Sequence, residues 1–299
     1  MKPLISYYGG KQKIASKILK YFPPHSVYVE PFAGGAALLL AKPVLPVGDN
    51  RYYRECLNDT SDLLINLYRV AIEQRDEFEL KVKATLYSQS DYKRAIAICK
   101  NPEGCTDIEK AWAYYFNINT SFAHKLNAGW GTSVASENQS YSFLNKKLSL
   151  PNILDRLKNV HFSCEDALRC ISRWDSPQTL FYCDPPYLNT SQGHYDGYHL
   201  EDWQSLCNTL DSIQGSYVLS NYPQPIEPQS AQQRVEIQSV MSASGKDRVG
   251  VDRSKDCITR TEEIKRTEVL WICDRSKSAR PSLVKILEKN QQLMLDLWG

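Results

Sequence analysis

Short runs of apolar and β-branched residues alternate with amphipathic segments over most of the chain. Ser26 to Glu30 (SVYVE) reads as a strand that stops at PFAGG and passes into the apolar AALLLA, which is a strand, a glycine turn and a helix. In LNDTSDLLINLYRVA, Asp59 and Thr60 precede apolar residues at 63, 64, 67 and 68, the spacing of an amphipathic helix with a polar start. From about 72 to 159 the pattern is helical and polar, then rich in Gly, Asn and Ser, with no strand-helix alternation. Alternation resumes with NVHFSC, EDALRCI, TLFYC, DWQSLCNTL, GSYVLSN, RVEIQSV and TEVLWIC. These runs predict an α/β sheet covered by helices. Residues 1–71 and 160–299 would form one discontinuous domain, interrupted by a mainly helical insertion over 72–159. Residues 244–266, with seven basic and five acidic side chains, read as an exposed loop that orders on a ligand. The tail from Ser282 to Trp298 reads as a closing helix.

Composition sets limits on this picture. The 299 residues are 42% hydrophobic and 23% charged, enough for a large domain and a smaller inserted one. No apolar run approaches the roughly 20 residues of a membrane span, and the Lys- and Gly-interrupted start does not read as a signal peptide. The nine cysteines include no CxxC pair, which gives no sign of a zinc ribbon or dithiol redox site. The net charge of +2 is too mild to imply a polyanionic partner, but residues 1–20 carry five lysines and no acid. That run is compatible with phosphate contacts, although a solvated surface helix is the commoner reason for such a run.

The most informative residues are Asp184, Pro185, Pro186 and Tyr187, directly after the strand TLFYC. Carboxyl ends of strands are where open α/β sheets bind ligands. Two prolines stiffen the backbone and remove N-H donors, so a carboxylate and a backbone carbonyl can face one pocket as acceptors. Such a pair suits a planar amino group like that of adenine, whose lone pair becomes nucleophilic when both N-H bonds are held. Tyr187 would stack on the base. The alternative is a stiff turn with an incidental Asp and Tyr. In Tyr28 to Leu38, Gly34 and Gly35 allow a ligand close to the backbone, or serve packing only. Asp59 suits a pair of ribose hydroxyls, and Asp166, after NVHFSC, suits an adenine amino group; each is equally an N-cap.

Taken in order, YYGGK, VEPFAGG, LNDTSDL, SCEDAL and DPPY closely resemble the Dam-like, α-group adenine-N6 DNA methyltransferases over nearly the whole chain. The resemblance implies a seven-stranded, Rossmann-like S-adenosylmethionine-dependent methyltransferase sheet, with the insertion as target-recognition domain. By position it assigns Tyr7, Lys11, Phe32, Gly34, Asp59 and Asp166, with Asp184, to the cofactor region. It makes Asp184 to Tyr187 the catalytic tetrapeptide. The implied methyl donor is S-adenosylmethionine, without a metal, and the implied partner is double-stranded DNA, with a cognate restriction endonuclease as a further candidate. A cytoplasmic monomer of bacterial or phage origin is expected. Within and beside the insertion, Asn119, Lys125, Asn127, Trp130, Lys146, Lys147 and Arg156 are candidates for DNA contact, with loop packing and solvation as alternatives. Two departures are visible: Tyr7 stands where the family usually has Trp, and the Arg-bearing hairpin of GATC-specific members is not evident. Methylation of RNA adenine or of a protein amide, and a non-catalytic nucleic-acid-binding role, remain the rival readings.

Overall fold

The computed structural model describes residues 1–6, 10–43, 53–131, 138–188, 197–242 and 263–278. Seven strands are present among them: β1 (Val27–Glu30), β2 (Arg54–Asn58), β3 (Val160–Ser163), β4 (Thr179–Cys183), β5 (Ser216–Asn221), β6 (Gln233–Ser242) and β7 (Glu263–Cys273). They form one sheet in the order β3-β2-β1-β4-β5-β7-β6. The first five run parallel, and β7 is antiparallel to both its neighbours. This is the seven-stranded α/β architecture that the resemblance implies.

The strands at the centre are buried along their whole length and mainly apolar, because both faces are covered. Every residue of β1, β4 and β5 is buried. Their side chains alternate between two cores with the period of two that a strand imposes. Tyr28, Leu180, Tyr182, Val218, Leu270 and Ile272 face one core. Val29, Phe181, Cys183, Leu219, Val269 and Trp271 face the other.

The second core is closed by α8 (Ala167–Trp174) and α9 (Leu200–Ser212). The first is closed by α1 (Ala15–Leu19), α2 (Ala37–Ala41) and α3 (Asp62–Glu73), and it continues into α4 (Arg75–Ala84), α5 (Gln89–Lys100), α6 (Asp107–Thr120) and α7 (Gln139–Leu157). Phe78, Tyr92, Phe116 and Phe143 of these last four helices belong to the same apolar cluster as Tyr28 and Leu180. The helical segment therefore shares a core with one face of the sheet.

Three local expectations change. Strand β2 carries few apolar residues, and the sequence reading passed over it. Its Glu55 is buried against Lys42 at 3.1 Å and against the Arg156 guanidinium at 2.5 and 2.7 Å. Arg156, with a side chain 6% exposed, is thus committed to the sheet and not to a phosphate. Helix α3 is capped by Ser61, whose hydroxyl accepts from Leu64 N-H, while Asp59 and Thr60 lie just before it. Residues 263–266 belong to β7 and not to a loop; the rest of the proposed loop, and the proposed tail helix, lie outside the described residues.

The strand order reverses between β1 and β4, since the chain moves outward from β1 through β2 to β3 and then returns to β4. A crevice opens at such a reversal, at the carboxyl ends of the strands. The glycine turn after β1 and Asp184 to Tyr187 after β4 flank it.

Candidate active site

The turn after β1 is held from several sides. Gly34 has φ +46° and Ala36 φ +53°, in the left-handed region that glycine enters without strain. Asp59 binds the turn to the start of α3, accepting from the N-H of Gly34 at 3.1 Å and of Ser61 at 2.9 Å. Tyr68 donates its hydroxyl to the Gly34 carbonyl at 2.9 Å. At the end of β1, Glu30 is buried and accepts from Leu39 N-H at 2.7 Å and from the Tyr28 hydroxyl at 2.8 Å. Burial pushes its carboxyl up to about 8 against those two bonds.

Beside this turn lies a cavity of about 470 Å³, lined by Phe32, Asp59, Asp166, Leu168, Pro186 and Tyr198 among others. An aromatic pair stands at its edge, Phe32 edge-on to Tyr198 at 6.4 Å. Asp166 also caps α8, accepting from Leu168 and Arg169 N-H at 3.0 and 3.2 Å, so it is both an N-cap and a lining residue. The donor set fits S-adenosylmethionine: an apolar and aromatic slot for an adenosine, and two carboxylates for its hydroxyl and amino groups.

A narrower recess of about 60 Å³ adjoins it and shares Phe32 and Pro186 as lining. Here Lys11, from the amino-terminal segment, reaches across to β4 and β7. Its ammonium lies 2.6 Å from Asp184 Oδ1, donates to the Tyr187 hydroxyl at 2.8 Å, and lies 3.4 Å from Glu268 Oε1. Burial acts to lower the Lys11 pKa, but Asp184, Tyr187 and Glu268 outweigh it and hold the ammonium charged well above its ordinary range. The Asp184 carboxyl is pushed up to about 6, by burial first, with Lys11 opposing and Glu268 adding to the rise. Tyr187 stacks face to face on Tyr222, which follows β5, with centroids 4.1 Å apart and planes 8° from parallel.

The structure therefore brings Lys11, Phe32, Gly34, Asp59, Asp166 and Asp184 to Tyr187 around one crevice; Tyr7 lies outside the described residues. The candidates for DNA contact are placed differently. Asn119 is buried, with its amide bonded to the backbone of Leu4 and Ser6. Asn127 pairs with Asn117 through two bonds of 2.8 and 3.1 Å. Trp130 packs on Tyr87 with centroids 5.5 Å apart. Lys146 donates to Pro3 O, and Lys147 to the carbonyls of Lys83 and Thr85. Lys125 is half-buried on the same loop as Asn127. Sequence reasoning missed Tyr222 and Glu268. The signal for Glu268 was an acid immediately ahead of the apolar run from Val269 to Cys273.

Comparison with known proteins identifies a family. Residues 7–229 match the model of the D12 class N6 adenine-specific DNA methyltransferases. Type II methyltransferase M.FokI of Planomicrobium okeanokoites is 27% identical over 212 residues, 69% of this chain and 32% of that protein, so the chain spans about a third of that relative. Type II methyltransferase M.MjaIII of Methanocaldococcus jannaschii is 24% identical over 206 residues, 62% of this chain and 69% of its own length. DNA adenine methylase of Escherichia coli K12 is 23% identical over 208 residues, 66% and 69% of the two chains. Among solved structures, an rRNA methyltransferase, aviRa of Streptomyces viridochromogenes, superposes with a TM-score of 0.38 at 13% identity, over 93% of this chain and 92% of that one. With the family model matching from the Lys11 motif through the tetrapeptide to Tyr222, the chain belongs to the D12 class N6 adenine-specific DNA methyltransferases.

Proposed function

We propose that this chain transfers a methyl group from S-adenosylmethionine to N6 of an adenine that has been turned out of duplex DNA. The observation that carries the reading is the junction of the two cavities at Phe32 and Pro186, with Asp184 and Tyr187 lining the narrower one. Bound S-adenosylmethionine supplies an electrophilic methyl carbon on a positively charged sulfur. Asp184 and the Pro185 carbonyl accept the two N-H bonds of the adenine amino group, which directs its lone pair at that carbon. As the N-C bond forms and the C-S bond breaks, the sulfur leaves with the electron pair, and the amino nitrogen then loses its extra proton to water. Tyr187 and Tyr222 are in ring contact, so the base parts them or replaces Tyr222 on Tyr187. A stacked and paired adenine could reach neither group, which is the reason for turning it out.

We assign recognition of DNA to residues 72–159. The loop from Ser121 to Gly131 is braced by the Asn117–Asn127 pair and by the Tyr92 and Tyr87 hydroxyls, which donate to the carbonyls of Ala128 and Gly131. It carries Phe122, 40% exposed, with Lys125 three residues on. An exposed ring and a cation on a rigid loop suit a groove or a base step. A cognate restriction endonuclease is the expected companion where the methylated site is also a cleavage site.

The test is transfer of a labelled methyl group to unmethylated genomic DNA, with RNA and protein as parallel acceptors. Label recovered as N6-methyladenine in DNA is expected. Label in RNA or protein only, from enzyme that binds the donor, would overturn the reading.

A further inference from the structure

Glu268 is left without a task by the chemistry above. It lies on β7, 2% exposed, in a site where an unpartnered carboxylate would be strongly unfavourable. It has partners on three sides. Its Oε1 accepts from the Ser220 hydroxyl of β5 at 2.7 Å and lies 3.4 Å from the Lys11 ammonium. Its Oε2 accepts from the Tyr187 hydroxyl at 3.3 Å. The ammonium of Lys11 thus faces three acceptors, Asp184, Tyr187 and Glu268, which matches its three donors.

This arrangement bears on the reaction because Asp184 has two demands on it. It must accept from the substrate amino group, yet Lys11 already holds one of its oxygens. With a single carboxylate, the ammonium would cancel the Asp184 charge. With two, one positive charge is divided between two negative ones, and Asp184 keeps acceptor strength. The same carboxylate fixes the Tyr187 hydroxyl, and with it the plane of the ring.

Resting on the methyl-transfer reading above, we propose that Glu268 is a positioning residue of the reaction: through the Tyr187 hydroxyl and the Lys11 ammonium it sets the stacking ring and keeps Asp184 available to the substrate amino group. Ser220 in turn holds Glu268 in place.

The test uses the full chain as wild type, Glu268→Gln and Glu268→Asp, with methyl transfer to unmethylated genomic DNA followed against pH, and donor binding measured by calorimetry. The charged and titratable groups facing Asp184 are Lys11 from the amino-terminal segment, Tyr182 and Cys183 from β4, Tyr187 of the same tetrapeptide, Glu30 from β1 and Glu268 from β7. Of these, Glu268 adds to the rise of the Asp184 carboxyl. Glu268→Gln removes that contribution, so kcat falls on the order of tenfold and the acid limb of its pH profile moves to lower pH. Glu268→Asp keeps the charge but is too short for all its partners, so kcat falls and the limb stays. Donor affinity changes by less than about threefold in both.

Wild-type kcat and an unmoved limb in Glu268→Gln would overturn the inference, and so would a fall in kcat with the limb unmoved, which a merely structural role would give. If Glu268→Gln does not fold, Glu268→Asp decides: wild-type kcat there, or a fall in kcat accompanied by weaker donor binding or a raised KM for DNA, overturns the inference, and a fall in kcat alone, with donor affinity and KM for DNA kept, supports it. Wild-type enzyme that binds the donor yet leaves DNA unmethylated refutes the underlying reading instead, and this inference with it.

Discussion

Asn119, in helix α6, holds the amino-terminal segment by its backbone: Oδ1 accepts from Ser6 N-H at 3.0 Å and Nδ2 donates to Leu4 O at 3.2 Å. Lys146, in α7, adds a bond to Pro3 O at 3.4 Å. The segment so held leads to Lys11, whose ammonium meets Asp184. Two helices of the segment proposed for DNA recognition therefore grip the stretch of chain that leads to Lys11.

Asn119→Ala leaves the backbone of Leu4 and Ser6 without these partners in a buried setting. Loss of about 1–3 kcal/mol of stability is expected, read by urea unfolding. Methyl transfer should fall by a larger factor than donor affinity, because Lys11 loses its support. Unchanged unfolding and turnover would show that the segment is held without Asn119.

The acid limb of turnover should lie near pH 6. Asp184 accepts hydrogen bonds as a carboxylate, and its carboxyl is raised to about 6. Turnover is therefore full above that value and declines as pH falls through it. A limb near 4, the range of an ordinary carboxyl, would contradict the burial of Asp184 against Lys11.

Glu30 gives a pH effect on stability. Its carboxyl is raised to about 8 in the fold, so the folded state holds a proton that the unfolded state releases above its ordinary value of 4.5. Stability from this group is present below that ordinary value and is lost as pH rises through about 8. Glu30→Gln should flatten this dependence by an amount of order a few kcal/mol, measured by unfolding at a series of pH values. A wild-type slope in the variant would remove Glu30 as its source.

Arg156→Ala separates a structural cation from a DNA contact. The guanidinium forms a buried bidentate pair with Glu55. Breaking such a pair costs about 3–5 kcal/mol, so the melting temperature should drop. The salt dependence of DNA binding should stay as in wild type, since no phosphate contact is lost.

These residues show what was legible beforehand. The glycine turn and Asp184 to Tyr187 could be read because each is a contiguous signal at the end of an apolar strand, and the order of motifs carried the fold. Lys11 on Asp184 spans 173 residues, and Tyr187 on Glu268 spans 81. Such contacts follow from strand order, which local pattern does not specify. Strand β2 was hidden because its buried Glu55 looks like a surface residue until Lys42 and Arg156 are placed beside it. Asn119 and Arg156 mislead in the same way: a polar side chain in a helix reads as outward-facing, whereas both here satisfy buried groups.

The most direct test compares single-turnover methylation of unmethylated DNA by wild type and Asp184→Ala, with donor and DNA binding measured on both. The account expects N6-methyladenine from the wild type and a loss of transfer on the order of a thousandfold in the variant, with both affinities within about threefold. Near-normal turnover in Asp184→Ala, or methyl groups placed elsewhere than adenine N6 by the wild type, would contradict it.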